Sequence, residues 1–178
     1  MRKIIITLAI ILLAVPAMAQ NHTGYRLPEE PKRAKYVDYS SLTQGFWFAA
    51  QLSTGVGSRQ GAFTQADLIA GYRAGEFFRF GPGVSPQVGG SGFAMPIYMD
   101  FRGNIISQES RMVVPYWSFD AGYTVGRFVK GLYLAPTGGI RVGMPRNDFI
   151  AGLGYVFQGL GAGVKPSHGF ALRLGFEF

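Results

Sequence analysis

Nine ionisable residues set among apolar and small neighbours are the first candidates for chemistry in this chain: Asp67, Arg73, Arg79, Asp100, Arg102, Asp120, Arg141, Arg173 and Glu177. Five arginines nearly balance four carboxylates. If they converge, such a set can form the charged constriction of a pore or a buried ion-pair network, since a buried charge without a partner is costly. Other chemistry is thinly represented. The chain has two histidines, His22 and His168, too few and too far apart for a metal site, and no cysteine to supply thiolates or disulfides. Ser167 and His168 are neighbours in sequence, but adjacent residues of a strand point to opposite faces, so they make no nucleophile–base pair. Residues 159–165, GLGAGVK, miss the phosphate-loop spacing, and Pro166 follows the lysine in place of a helix. We therefore assign no catalytic, cofactor-binding or metal residue, and the chain is expected to be neither an enzyme nor cofactor-dependent.

The elements that must position the nine charges are strands. In the last ten residues Phe170, Leu172, Leu174, Phe176 and Phe178 alternate with Gly169, Ala171, Arg173, Gly175 and Glu177. A period of two marks a strand with one wholly apolar face, and about 9–11 tilted residues cross a bilayer. Seven upstream segments obey the same rule: residues 44–56, 63–73, 76–86, 93–104, 113–125, 130–143 and 148–158. In each, the charged residues share the face opposite the apolar one, with Phe77, Gly81 and Gly83 assigned to the charged face of the third. A one-residue slip would turn Arg173 toward the apolar side, at about 2–4 kcal/mol if that side is lipid, so register is strongly specified. Pro82, Pro96 and Pro136 fall inside these segments and would each remove a ladder donor; bulges or strand ends are the expected remedy. Outward aromatics gather at one end of the hairpins, as an interfacial girdle would require.

The amino terminus reads as an export signal: Arg2-Lys3, an apolar run over residues 4–15, then Ala17-Met18-Ala19 before Gln20. Residues 20–43 are polar, mixed in sign and aperiodic, and read as a periplasmic lead-in that lacks the composition to fold alone. Later apolar runs are too short for a membrane helix, so an integral protein of this sequence must be a barrel. Charged residues make up 15% of the chain and 26 residues are glycine, against nearer a quarter charged in soluble domains. Losing Arg2 and Lys3 with the leader lowers the formal net charge from +7 to +5. Without a clustered basic helix or aromatic-basic motif, that excess does not point to nucleic acid; attraction to anionic lipopolysaccharide accounts for it better.

These features together, notably residues 96–102 (PIYMDFR), residues 117–123 (WSFDAGY) and the terminal Phe178, resemble the small eight-stranded outer-membrane barrel proteins of Gram-negative bacteria over residues 44–178. The resemblance implies an all-β, antiparallel, up-and-down barrel in the outer membrane, monomeric and surrounded by lipid and lipopolysaccharide. It also implies recognition of the last strand, Phe178 included, by the barrel-assembly machinery. The expected domains are a signal peptide (1–19), the lead-in (20–43) and the barrel (44–178). An eight-stranded barrel is just wide enough to be filled by side chains, so the charges are expected to pair inside it, giving a structural or surface-interaction protein. A narrow pore is the first alternative. The second is a lipid A-modifying enzyme, since some barrels of this size use Ser and His near the outer rim, but the deacylases' His-x-Ser arrangement is missing. A soluble periplasmic β-protein is a further alternative. On the export reading, amino-terminal sequencing of the protein recovered from the envelope should begin at Gln20; a product retaining residues 1–19 would refute the cleavage site.

Overall fold

Eight runs of alternating residues leave the backbone only one way to satisfy its donors and acceptors, which is lateral pairing with the neighbouring run. The computed structural model describes residues 44–90, 92–108, 111–127, 129–144, 147–160 and 165–178. The segments expected to be a signal peptide (1–19) and a lead-in (20–43, with His22), and residues 161–164 of the glycine-rich stretch, lie outside them. The strands are β1 (Gly45–Gly57), β2 (Gly61–Arg73), β3 (Arg79–Val84), β4 (Gln87–Gly89), β5 (Gly92–Asn104), β6 (Val113–Gly126), β7 (Gly131–Gly143), β8 (Asp148–Leu160) and β9 (Ser167–Glu177). β3 and β4 are two pieces of one stave, so nine strands make eight staves. All pairings are antiparallel between neighbours, and β1 pairs with both β2 and β9, which closes the sheet into a barrel.

The pairing register fixes the barrel's width. Partners followed once around run from Gly45 through Arg73, Arg79, Arg102, Ser118, Thr137, Gly154 and Ala171 to Gly55. The circuit returns ten residues further along β1. With eight staves and standard strand spacings, that stagger gives a tilt of about 40° and a radius of roughly 8 Å, before side chains fill the centre.

Local details depart from the sequence expectations. The third stave begins at Arg79 because residues 74–78 form the turn, closed by the Ala74 and Gly75 N–H groups donating to the Phe78 carbonyl (3.1 and 3.2 Å); Phe77 is therefore exposed at the rim and does not face inward. The prolines need no bulge. Pro82 stays paired with Met99 while the β2–β3 ladder skips a step beside it, and Pro136 stays paired with Phe119 while the β7–β8 ladder skips. Pro96 faces the break between β3 and β4, where its carbonyl accepts from Ser85 N–H (2.9 Å). Register is the same on both sides of each gap, because antiparallel residues bond alternately to left and right and each proline deletes a donor on one side. At the seam β9 pairs with β1 from Ala49↔Glu177 to Gly57↔Gly169, and reciprocal Phe48–Phe178 backbone bonds extend it at the end where β9 finishes.

The outward positions of the staves carry Phe, Leu, Ile, Val, Met, Ala, Pro, Tyr and Trp117, relieved by Thr54, Thr64, Gly103, Gly138, Gly159 and His168. Around the end that holds the termini, rings touch from stave to stave: Phe46–Tyr72, Tyr72–Phe80, Phe80–Phe78 and Phe78–Phe101, with centroids 6.0–6.5 Å apart. Phe149–Phe176 and Phe48–Phe178 continue the band near the seam.

Two glycines show how tightly the staves coil. A Cβ on Gly122 would strike the Tyr98 side chain at 2.6 Å as well as β5 backbone, whereas one on Gly138 would meet nothing within 4 Å. Gly122→Val should therefore destabilise the refolded barrel by about 1–3 kcal/mol, read from urea titration of its heat-modifiable gel mobility, while Gly138→Leu should leave the midpoint unchanged. Equal effects would refute the assigned faces.

Candidate functional site

Parity along each stave delivers a polar cargo to a narrow space, and the structure shows how that space is filled. All nine ionisable residues singled out from the sequence point inward and are buried. Toward the end holding the termini, Glu177 sits among four guanidinium groups: it pairs with Arg79 and with Arg141 (2.5 Å), and lies 3.4 Å from Arg73 and 3.6 Å from Arg102. Arg141 also reaches Asp148 (3.4 Å), and Arg79 Nη2 donates to Asn104 Oδ1 (3.3 Å). The grouping follows from register, since Arg73, Arg79 and Arg102 are successive lateral partners.

Arg102 is held on every side. Its Nε and Nη2 donate to both oxygens of Asp100 (2.6 and 2.8 Å), the fork geometry that suits a carboxylate. With its amide turned so that the oxygen faces the guanidinium, Gln51 accepts from Nη1 and Nη2 (2.7 and 3.2 Å), and the Trp47 ring lies 4.9 Å from the guanidinium carbon, within cation–π reach.

Further along the axis Arg173 pairs with Asp120 (2.6 Å) and donates to the Tyr133 hydroxyl (3.3 Å). Asp67 differs, being held by neutral donors: Ser53 Oγ (2.5 Å), Gln65 Nε2 (2.7 Å), Ser85 Oγ and the Tyr98 hydroxyl (3.5 Å). Tyr98 and Tyr133 stand 5.3 Å apart and, with Trp47, Ile69, Phe63 and Val156, fill the space between the polar groups. At the far end Gln60, Gln87 and Gln158 close a ring of amides. Gln87 donates to Gln60 (2.6 Å), Gln60 to Gln158, and Gln158 to Gln87 (3.0 Å).

Asp148 and the amides escaped the sequence reading. Asp148 is the first residue of β8, beside a turn, where parity is hardest to assign. The glutamines carry no charge to mark them, although Gln51, Gln65, Gln87 and Gln158 all fall on the inward parity. With Asp148, the buried ionisable groups among the described residues are five arginines and five carboxylates. Ser167 points inward and His168 outward, so no nucleophile–base pair forms there. Among the described residues no group of three or more His, Cys, Asp or Glu could hold a metal ion.

Neisserial surface protein A has the same architecture: its crystal structure aligns with a TM-score of 0.60 over 74% of this chain and 95% of that one, at 18% sequence identity. The fold is that of the eight-stranded outer-membrane barrels. The N-terminal barrel domain of Pseudomonas aeruginosa OprF (14% identity, 73% and 97% of the chains, TM-score 0.46) and the outer-membrane protein OprG of the same organism (11%, 78% and 98%, 0.46) also align. No protein-family model and no curated protein matches the sequence.

The interior makes a quantitative demand on Glu177. Removing one partner of a buried ion pair costs about 3–5 kcal/mol, and four guanidinium groups share this carboxylate. Glu177→Gln should lower the unfolding free energy of the detergent-refolded barrel by that amount, and Arg79→Met in the same chain should recover part of the loss. A Glu177→Gln variant as stable as the parent would show the cluster to be energetically idle.

Proposed function

We propose that this protein is an integral, monomeric barrel of the bacterial outer membrane that acts by its presence and its exposed rim, without conducting solutes or catalysing a reaction. The observation that carries this reading is the interior, where ion pairs, aromatic rings and the glutamine ring succeed one another along the axis. Conduction needs a continuous path whose groups bind and release an ion; an arginine clamped by two Asp100 oxygens, a glutamine and an indole offers neither. The outward face supports the location, because the staves present apolar side chains across their length and an aromatic band at one end, which lipid stabilises and water does not. On this reading the export signal carries the chain across the inner membrane, and the strand ending at Phe178 is presented to the assembly machinery, paired with β1 once the barrel closes.

Planar bilayers test the reading. The refolded protein should insert and give no current steps above background in molar salt. Reproducible unitary conductance would replace the structural role with a pore, and extraction of the native protein by alkali alone would remove it from the membrane.

A further inference from the structure

Charge is distributed unevenly between the two ends of the barrel. The described turn residues at the end away from the termini, 58–60, 90, 127, 129–130 and 165–166, include Arg59, Arg127, Lys130 and Lys165 and no Asp or Glu. The described turn residues at the other end mix signs, with Glu76 and Arg111. A wholly cationic rim is attractive to phosphate groups.

At the seam this rim is shaped. Ser58 N–H donates to the His168 carbonyl (2.8 Å) and His168 N–H donates to Ser58 Oγ (3.2 Å), which carries the β1–β9 pairing past Gly57. Around this junction Ser58, Arg59, Pro166 and His168 border a polar hollow of about 550 Å³. The His168 ring stacks on Tyr155 (centroids 6.5 Å, planes 22° apart), and Tyr155 meets Phe170 edge-on at 5.5 Å. Tyr155 and Phe170 in turn form the wall of a second, apolar hollow of about 760 Å³ on the outward face, floored by Pro136 and Gly138 and flanked by Trp117 and Leu153. Its cause is sequence: Gly138 is the lateral partner of Trp117 and has no side chain to fill the space beside it.

We infer that these two hollows, joined through His168 and Tyr155, are one site for a phosphorylated lipid, with the phosphate at Arg59 and His168 and one acyl chain lying over Gly138 against Trp117. The inference rests on the membrane reading above. Charge complementarity chooses the occupant: a zwitterionic or neutral lipid would fill the groove equally well but gain nothing from a rim without carboxylates. Lys165, exposed and next in sequence to Pro166, adds to the same potential.

The chain's two tryptophans make the test direct. Trp47 is buried inside the barrel and Trp117 lies at the groove. The mature protein is reconstituted into phosphatidylcholine bilayers containing a small mole fraction of brominated-chain phosphatidic acid, brominated-chain lipid A or, as reference, brominated phosphatidylcholine. Quenching of Trp117 should report an enrichment of either phosphorylated lipid of about fivefold for each cation engaged. R59A with H168A should abolish that preference while leaving quenching by phosphatidylcholine intact, and G138L should reduce quenching by all three by displacing the chain. Equal quenching by phosphorylated and zwitterionic lipid, or a preference that survives R59A with H168A, would overturn the site. Failure of every brominated lipid to quench Trp117 would instead overturn the membrane reading on which it rests.

Discussion

The carboxylate of Glu177, one residue from the end of the chain, lies among the guanidinium groups of Arg73, Arg79, Arg102 and Arg141. The lateral partners of this stretch are equally decisive, because β9 pairs with β1 on one side and β8 on the other. The same few residues therefore close the ladder and neutralise the largest concentration of positive charge within it. Closure leaves the sheet without a free edge, as lipid would demand, and it sets the stagger that makes the lumen narrow. Narrowness then forces the charges together, since a group desolvated by its neighbours must find its counter-charge among them. Arg102 between Asp100, Gln51 and Trp47, and Arg173 between Asp120 and Tyr133, are further consequences of that constraint.

An interior of this kind separates two roles that barrels of this size can combine. Each of its five arginines is engaged with a carboxylate, and on the proposed reading it offers little to a solute. On the proposed reading recognition falls to the outside, where apolar side chains face outward and the charged residues among the described turn positions far from the termini are all basic. The fold thus assigns stability to the lumen and contact with the surroundings to the rim and outer wall.

Period-two alternation made the eight staves, their faces and the inward parity of Arg173 and Glu177 legible in the sequence, because a single slip would bury or expose a whole face at once. Pairing partners were not legible. That Glu177 meets Arg79, 98 positions away, depends on the stagger accumulated around the whole barrel, which no local pattern encodes. Asp67 illustrates the same point: its inward direction could be read, but its partners are hydroxyl and amide groups of four other residues, one on its own stave and three on three other staves. Pro82, Pro96 and Pro136 looked like interruptions because sequence shows the lost donor but not which of two neighbours loses it. Phe77 was misplaced because the turn runs through residues 74–78, so the alternation does not begin until Arg79.

Because the chain has no cysteine, the closed lumen can be probed without background. Ser53 lies fully buried against Asp67, between the charged clusters and the glutamine ring, while Ser58 is exposed in the first turn. Single Ser53→Cys and Ser58→Cys variants of the folded protein should be treated with a small, charged methanethiosulfonate reagent and the modified fraction followed by mass spectrometry. A lumen filled by paired side chains predicts that Cys at 58 reacts at once and Cys at 53 stays unmodified until the barrel is unfolded. Comparable reaction at both positions in the folded barrel would show an open, water-filled path and contradict the packed interior.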